Sequence, residues 1–224
     1  MNKIASRAWI SMVLVVALLG GFGFFCFQYF TQSSNWVVES GSPHVYNGGN
    51  IGCGIVVDRK ILYGAHGAGG EIGHMTVNPL ETEVCTCGKQ GCAEQYCSAT
   101  GIVRLTKKHL AASAFPSVLR GKDFSCKDVF DAADAGDPVA LSYLETFYAN
   151  TAEFISNICC VLNPEAVVIG GGVSKAGDRL LEGIRRHMDR FLFHAVSNVQ
   201  LSLATLGNDA GAIGAFRMIL AENN

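Results

Sequence analysis

An unbroken apolar run opens the chain. Residues 8–30 read AWISMVLVVALLGGFGFFCFQYF; Lys3 and Arg7 stand just before them, and no charged residue follows until Glu39. At about 1.5 Å per residue, a helix of this length crosses a hydrocarbon core of about 30 Å. The run is long and ends in bulky Phe, Tyr and Gln rather than a small-residue cleavage site, so it predicts an uncleaved anchor over 1–30 and not a signal peptide. The basic flank puts the amino end in the cytoplasm and the remainder outside, which makes the expected location a membrane, through residues 8–30.

Residues 31–59 turn polar and Gly-rich, then β-branched at 55–57, which predicts a juxtamembrane stretch leading into a strand. Further on the period changes. After Asp137 and Pro138, a helix start, come Leu144, Phe147, Thr151, Ile155, Ile158 and Leu162 at three- to four-residue spacing. Asn163-Pro164 stops that helix. AVVIGGGV over 166–173 then reads as a buried strand ending in Gly170, Gly171 and Gly172. A second helix over about 178–193 carries Leu180, Leu181, Ile184, Met188 and Leu192 on one side, and a strand over 199–204 leads to GNDAGAIGAFRMIL. Strand, glycine turn and helix in succession are how α/β proteins bring backbone amides close to phosphate. The same glycines serve equally as a plain tight turn.

Composition narrows the choice. With 49% hydrophobic and 16% charged residues in 224, the chain has ample apolar content for one core. Seventeen basic residues against 19 acidic ones, a net charge of -2, argue against a nucleic-acid partner. The nine cysteines are not spread as a disulfide framework would be; three of them, Cys85, Cys87 and Cys92, fall within eight residues. That pattern points to metal and a reducing compartment, in conflict with the topology drawn from the anchor.

In EIGHMTVNPLETEVCTCGKQGCAEQYCS, His74 is followed by those three cysteines, so that one imidazole and three thiolates can converge on one ion. Zinc favours such a tetrahedral set, and four protein ligands with no water position make a structural site. Gly88 and Gly91 suit the tight backbone reversal that brings Cys87 and Cys92 to one metal. An iron–sulfur cluster would need Cys97 as a fourth cysteine; the His74 lead and the C-x-C-x4-C spacing favour zinc.

The pattern E-x-G-H followed by C-x-C-G-x-x-G-C-x-E, here Glu71, Gly73, His74, Cys85, Cys87, Gly88, Gly91, Cys92 and Glu94, resembles the ROK family of sugar kinases and repressors. The resemblance implies an α/β lobe of the actin-like, ribonuclease-H-like class over residues 60–224. It implies a structural zinc on His74, Cys85, Cys87 and Cys92, and Glu71, His74 and Glu94 hydrogen-bonded to a hexose, glucose foremost. It also implies ATP with magnesium near Gly170, Gly171 and Gly172, and a homodimer. Residues 1–59 resemble instead the start of a monofunctional penicillin-binding protein, with residues 54–59 as its G-x-[IV]-x-DR strand, although neither S-x-x-K nor K-T-G occurs.

Two ROK motifs are missing from the sequence: the D-x-G-G-T phosphate loop and the E-N-D-A-N-type segment that supplies the catalytic aspartate. Asn208-Asp209-Ala210 imitates the latter but lies in the family's closing motif. The second loop, G-T-G-x-G-G-G, aligns with residues 48–54, with Gly49 at the threonine and Cys53 at a glycine. These departures read as a junction near residues 54–60 between an anchor and a truncated second lobe, cytoplasmic if the anchor is an artefact of fusion. The expected kinase activity is little or none, with no catalytic residue of its own. The other expectations are a sugar sensor of the repressor type without its DNA-binding domain, and a membrane-anchored interaction protein.

Overall fold

The computed structural model describes residues 12–18, 51–57, 60–196 and 198–205. Its centre is residues 12–18 of the apolar run, which form a strand and not a membrane helix. Met12–Leu18 forms strand β1, antiparallel to β2 (Ile51–Val57) with Met12 opposite Val57 and Leu18 opposite Ile51. On its other edge it runs parallel to β4 (Ala166–Gly170), from Val13 opposite Ala166 to Ala17 opposite Gly170. With β3 (Lys60–Ile61) beyond β2 and β5 (Gln200–Leu203) beyond β4, the sheet order is β3-β2-β1-β4-β5.

The anchor and the membrane location are therefore corrected. A strand hydrogen-bonded on both edges reads as a continuous hydrophobic run, as a spanning helix does, and periodicity alone does not separate the two. Val13, Val15 and Val16, each stiff at χ1, favour the extended form. Among the described residues no helix is long and apolar enough to cross a membrane. Residues 8–11 and 19–30 of the run lie outside the described residues, as does the closing GNDAG segment.

The helices follow the sequence closely. α1 (Glu94–Cys97) and α2 (Ala99–Ala112) are separated by Ser98, whose hydroxyl caps α2 by accepting from the Gly101 N–H at 2.9 Å. Ser125 and Asp128 form a reciprocal capping box on α3 (Cys126–Asp134). Asp137 caps α4 (Pro138–Leu162) by accepting from the Val139 and Ala140 N–H groups at 3.0 Å each, and Pro138 occupies the first turn, where its missing N–H costs nothing. Asn163 ends the helix in the left-handed conformation at φ 44°. α5 spans Asp178–Phe191.

One core joins these elements. Ile51, Cys53 and Ile55 from β2, Val167 and Ile169 from β4, and Leu201 from β5 meet Leu144, Phe147, Ile155 and Ile158 of α4 and Leu180 and Ile184 of α5. Alternate residues of β2 and β4 supply that face, as the two-residue period of a strand requires. Residues on both sides of position 59 share the sheet. Within it lie residues 51–54 of the stretch aligned with a phosphate loop, as part of β2; residues 48–50 are outside the described residues.

Candidate functional site

The site grows from the end of β2. The Cys53 N–H donates to the Gly70 carbonyl at 2.9 Å, which delivers the chain into a single 3-10 turn, Ile72–His74, laid against the sheet. Gly73 has to be glycine: a Cβ there would lie 2.2 Å from the Ile51 carbonyl oxygen. The spacing of E-x-G-H is thus set by how closely that turn approaches β2, with Glu71 before it and His74 at its end, both half-buried.

From His74 the backbone folds back on itself. Thr76 bridges Cys92 and Val84 bridges Gln90, both antiparallel. Inside the second bridge, Cys85 N–H donates to the Lys89 carbonyl at 2.7 Å and Gly88 N–H to the Cys85 carbonyl at 2.8 Å. Gly91 sits at φ 72° with the space of its missing Cβ 1.8 Å from the Asn78 oxygen, so the reversal admits no side chain. The outcome is a convergence of four ligand atoms. Cys85 Sγ lies 3.9 Å from His74 Nδ1, Cys87 Sγ lies 3.6 Å from Cys92 Sγ, and all four fall within 4.8 Å of one another. Sulfurs about 2.3 Å from a tetrahedral centre stand about 3.8 Å apart, so the donor set and its spacing fit a divalent ion.

The electrostatics agree. Burial, and then the neighbouring Cys87 and Cys85, push the Cys92 thiol up to about 12. For Cys87, burial acts upward and is outweighed only by the Lys89 backbone N–H, the Cys92 and Cys85 side chains and the Lys89 charge together, leaving that thiol below its ordinary value. Three sulfurs this close do not all ionise without a cation among them. Cys97 stands outside the group: it is fully buried at the end of α1, its thiol raised to about 12 by burial, and it does not assemble a four-cysteine site.

Glu94 opens α1 beside this cluster. Its Oε1 accepts from the Thr86 hydroxyl at 3.0 Å and from the Cys85 thiol at 3.8 Å. The structure therefore brings His74, the three cysteines and Glu94 together, with Glu71 one turn of chain away.

Gly170, Gly171 and Gly172 belong to a different place. Gly170 is the last residue of β4, the Gly171 carbonyl accepts from the Ser174 hydroxyl at 2.7 Å, and Gly172 lines a cleft of about 920 Å³ between α2, α3 and the start of α5. The cleft has apolar walls from Val103, Phe130 and Val173 and charged ones from Lys107, Lys175 and Arg179 and from Asp131 and Asp134. Arg179 is tied to Asp134 and to the Phe130 carbonyl, and lies 5.4 Å over the Phe130 ring. Arg179 and Lys127 pair with Asp134 and Asp131, so the slot is apolar with charges of both signs in its lining.

Sequence reasoning missed what fastens the loop. Glu81, with a side chain 6% exposed, accepts from the Tyr96 hydroxyl at 2.7 Å and from Arg104 at 3.0 Å, while Glu83 pairs with Arg104 and Lys108 at 2.6 Å each. Burial raises the Glu81 carboxyl, but the Glu83 N–H, Tyr96 and Arg104 together bring it down to about 2. A carboxyl lower in the folded than in the unfolded chain gives stability that is complete above about pH 5 and lost as pH falls toward about 2. Glu81→Gln is expected to flatten the pH dependence of urea unfolding across that window, by on the order of 1–2 kcal/mol after solvent screening. An unchanged slope would show that Glu81 is not held by these partners.

Comparison with known proteins gives the site its context. The ROK family model matches residues 44–222. A glucokinase of Halalkalibacterium halodurans is 42% identical over 182 residues, 79% of this chain and 55% of that protein. A glucokinase of Thermotoga maritima is 33% identical over 177 residues, 77% of this chain and 56% of that protein. Among solved structures, a ROK family glucokinase from Streptomyces griseus in complex with glucose and AMPPNP superposes with a TM-score of 0.71 at 26% identity, over 94% of this chain and 61% of that one. The chain spans about half the length of the curated relatives it matches. The family match takes in residues 54–59, the stretch whose strand resembled a penicillin-binding protein. Sheet and helices are those of an actin-like sugar-kinase fold, and the chain belongs to the ROK family, with a sequence of the glucokinase-like kind.

Proposed function

We propose that this lobe holds a hexose, glucose foremost, beside a structural zinc, and ATP with magnesium in the 920 Å³ cleft, as the second lobe of a ROK glucokinase-type phosphoryl transferase. The observation that carries the reading is Glu94, buried at the start of α1 and in contact with Thr86 and Cys85 of the cysteine loop. An ionised carboxylate accepts several hydroxyl protons, and a loop fixed by a metal would hold it at a constant angle to a sugar. His74, Cys85, Cys87 and Cys92 would hold the zinc, whose part is to order the loop. With Nδ1 of His74 turned to Cys85, Nε2 is the ring nitrogen left for a hydroxyl, and Glu71 completes the set.

Support for the nucleotide comes from the cleft's apolar walls and from the S. griseus enzyme, whose structure is in complex with glucose and AMPPNP. Gly170, Gly171 and Gly172 let the turn after β4 approach phosphate without a Cβ in the way. The sequence of these 224 residues contains neither D-x-G-G-T nor an E-N-D-A-N-type aspartate. We therefore read the chain by itself as binding both ligands while turning over slowly.

Calorimetric titration with glucose tests the sugar site. The parent chain is expected to give saturable heat, and Glu94→Gln to weaken binding by about 10- to 100-fold, the worth of a hydrogen bond to a charged group. Absence of heat in the parent would remove the hexose reading, and equal affinity in the variant would remove Glu94 from the site.

A further inference from the structure

The cleft and the cysteine loop share one side chain. Arg104, on α2, lines the cleft, yet its terminal nitrogens point at the loop: Nη1 to Glu83 at 2.6 Å, and Nη2 to Glu81 and to the Gln95 carbonyl at 3.0 Å each. The guanidinium stacks 5.6 Å over the Tyr96 ring, and its Nε is buried without a hydrogen-bond partner. Gln95 continues the connection. Its Nε2 donates to the Glu83 carbonyl at 3.0 Å, and its Oε1 accepts from the N–H of Cys92 at 3.1 Å. One guanidinium thus stands between the cleft wall and a backbone that carries a thiolate of the metal group.

We propose that Arg104 is a positioning residue that couples occupancy of the cleft to the hold of the cysteine loop on its metal. The inference rests on the nucleotide and zinc readings above. A ligand packed against the cleft wall restricts Arg104 to the rotamer in which its fork grips Glu81, Glu83 and Gln95, and this keeps Cys92 in place. Lysine does not substitute, because a single ammonium lacks the planar fork that engages two carboxylates and a carbonyl together. Lys108 provides an internal contrast: it pairs with the same two carboxylates, at 2.6 Å to Glu83 and 3.7 Å to Glu81, but does not line the cleft. Because coupling is reciprocal, metal in the loop strengthens nucleotide binding by the same factor by which nucleotide strengthens metal binding.

The test uses the full chain loaded with zinc, an excess of chromogenic chelator to follow zinc release, and AMPPNP with magnesium as the cleft probe, its binding checked by calorimetry. AMPPNP is expected to slow zinc release by about fivefold or more, within the usual range of coupling between sites. Arg104→Met and Arg104→Lys are expected to abolish the difference, and Lys108→Met to retain it. Glu83→Gln, which leaves the cleft wall intact and cuts one arm of the fork, should reduce the difference and serves if the Arg104 variants do not fold. Bound AMPPNP with unchanged zinc release in the parent, or a full effect in Arg104→Lys or Glu83→Gln, overturns the coupling alone. No AMPPNP binding to the parent removes the nucleotide reading and the coupling with it.

Discussion

Replacing Cys92 with serine is expected to strip the metal from the chain and to release the loop from residue 75 to residue 92. Cys92 is completely buried, it pairs by backbone with Thr76, and its sulfur is 3.6 Å from that of Cys87. Apolar burial adds only the half-buried Val77, since Leu80 is 85% exposed and Val84 66%, and the rest of the hold is the Glu81 and Glu83 ion pairs. A structural zinc contributes on the order of 10 kcal/mol to ordering the residues around it, against about 1 kcal/mol for a typical backbone hydrogen bond. The loss is therefore expected to exceed what the loop's ion pairs and backbone bonds can hold. Mass spectrometry of the intact chain should show one zinc in the parent and none in Cys92→Ser, and amide exchange over the loop should approach that of an unfolded segment. The core around α4 and α5, to which the loop adds only the half-buried Val77, should keep its protection. A parent that purifies without metal and still protects the loop would end the zinc assignment.

The second large effect concerns turnover. In a coupled assay with ATP, magnesium and glucose, these 224 residues are expected to form product at least about 100-fold more slowly than an ordinary hexokinase, and up to about 10,000-fold. That is the range for removing a positioned general base. Phosphoryl transfer depends on placing donor and acceptor in line and neutralising the moving charge, so a missing phosphate loop costs further through orientation. The roles proposed for Glu71, His74, Glu94 and the glycine turn after β4 are all binding roles. Turnover within about tenfold of an ordinary kinase would show that a residue of this chain replaces the aspartate.

How much of this was legible depended on whether the signal was local. α4 was readable to the residue at its start because Asp137 and Pro138 act on the first turn alone, and at its end because Asn163-Pro164 can hardly continue a helix. The grouping of His74 with Cys85, Cys87 and Cys92 was readable because the four lie between residues 74 and 92, with Gly73 and Gly91 fixed by close backbone contacts. The apolar run failed for the opposite reason. Whether such a run is a strand or a spanning helix depends on partners at residues 51–57 and 166–170, which its own composition does not mention. Glu81 and Arg104 are of the same kind. Each looks like an ordinary solvated charge in sequence, and only the fold places one against the other, with Tyr96 and Gln95 between. Phe130 and Arg179 were missed likewise, since a cleft wall drawn from three helices has no sequence pattern.

The placing of β1 bears on how the protein is made. Its neighbours in the sheet are β2, which starts at Ile51, and β4, which pairs Ala166 with Val13. On a ribosome, the middle strand emerges first and waits for most of the chain before its second edge can be sealed. Non-local pairing of this sort slows folding, and until it is complete a row of unsatisfied amides and carbonyls flanked by valines stays open to any passing strand. Yield from cells should depend on chaperone supply and growth temperature more steeply than the equilibrium stability of the finished molecule would suggest.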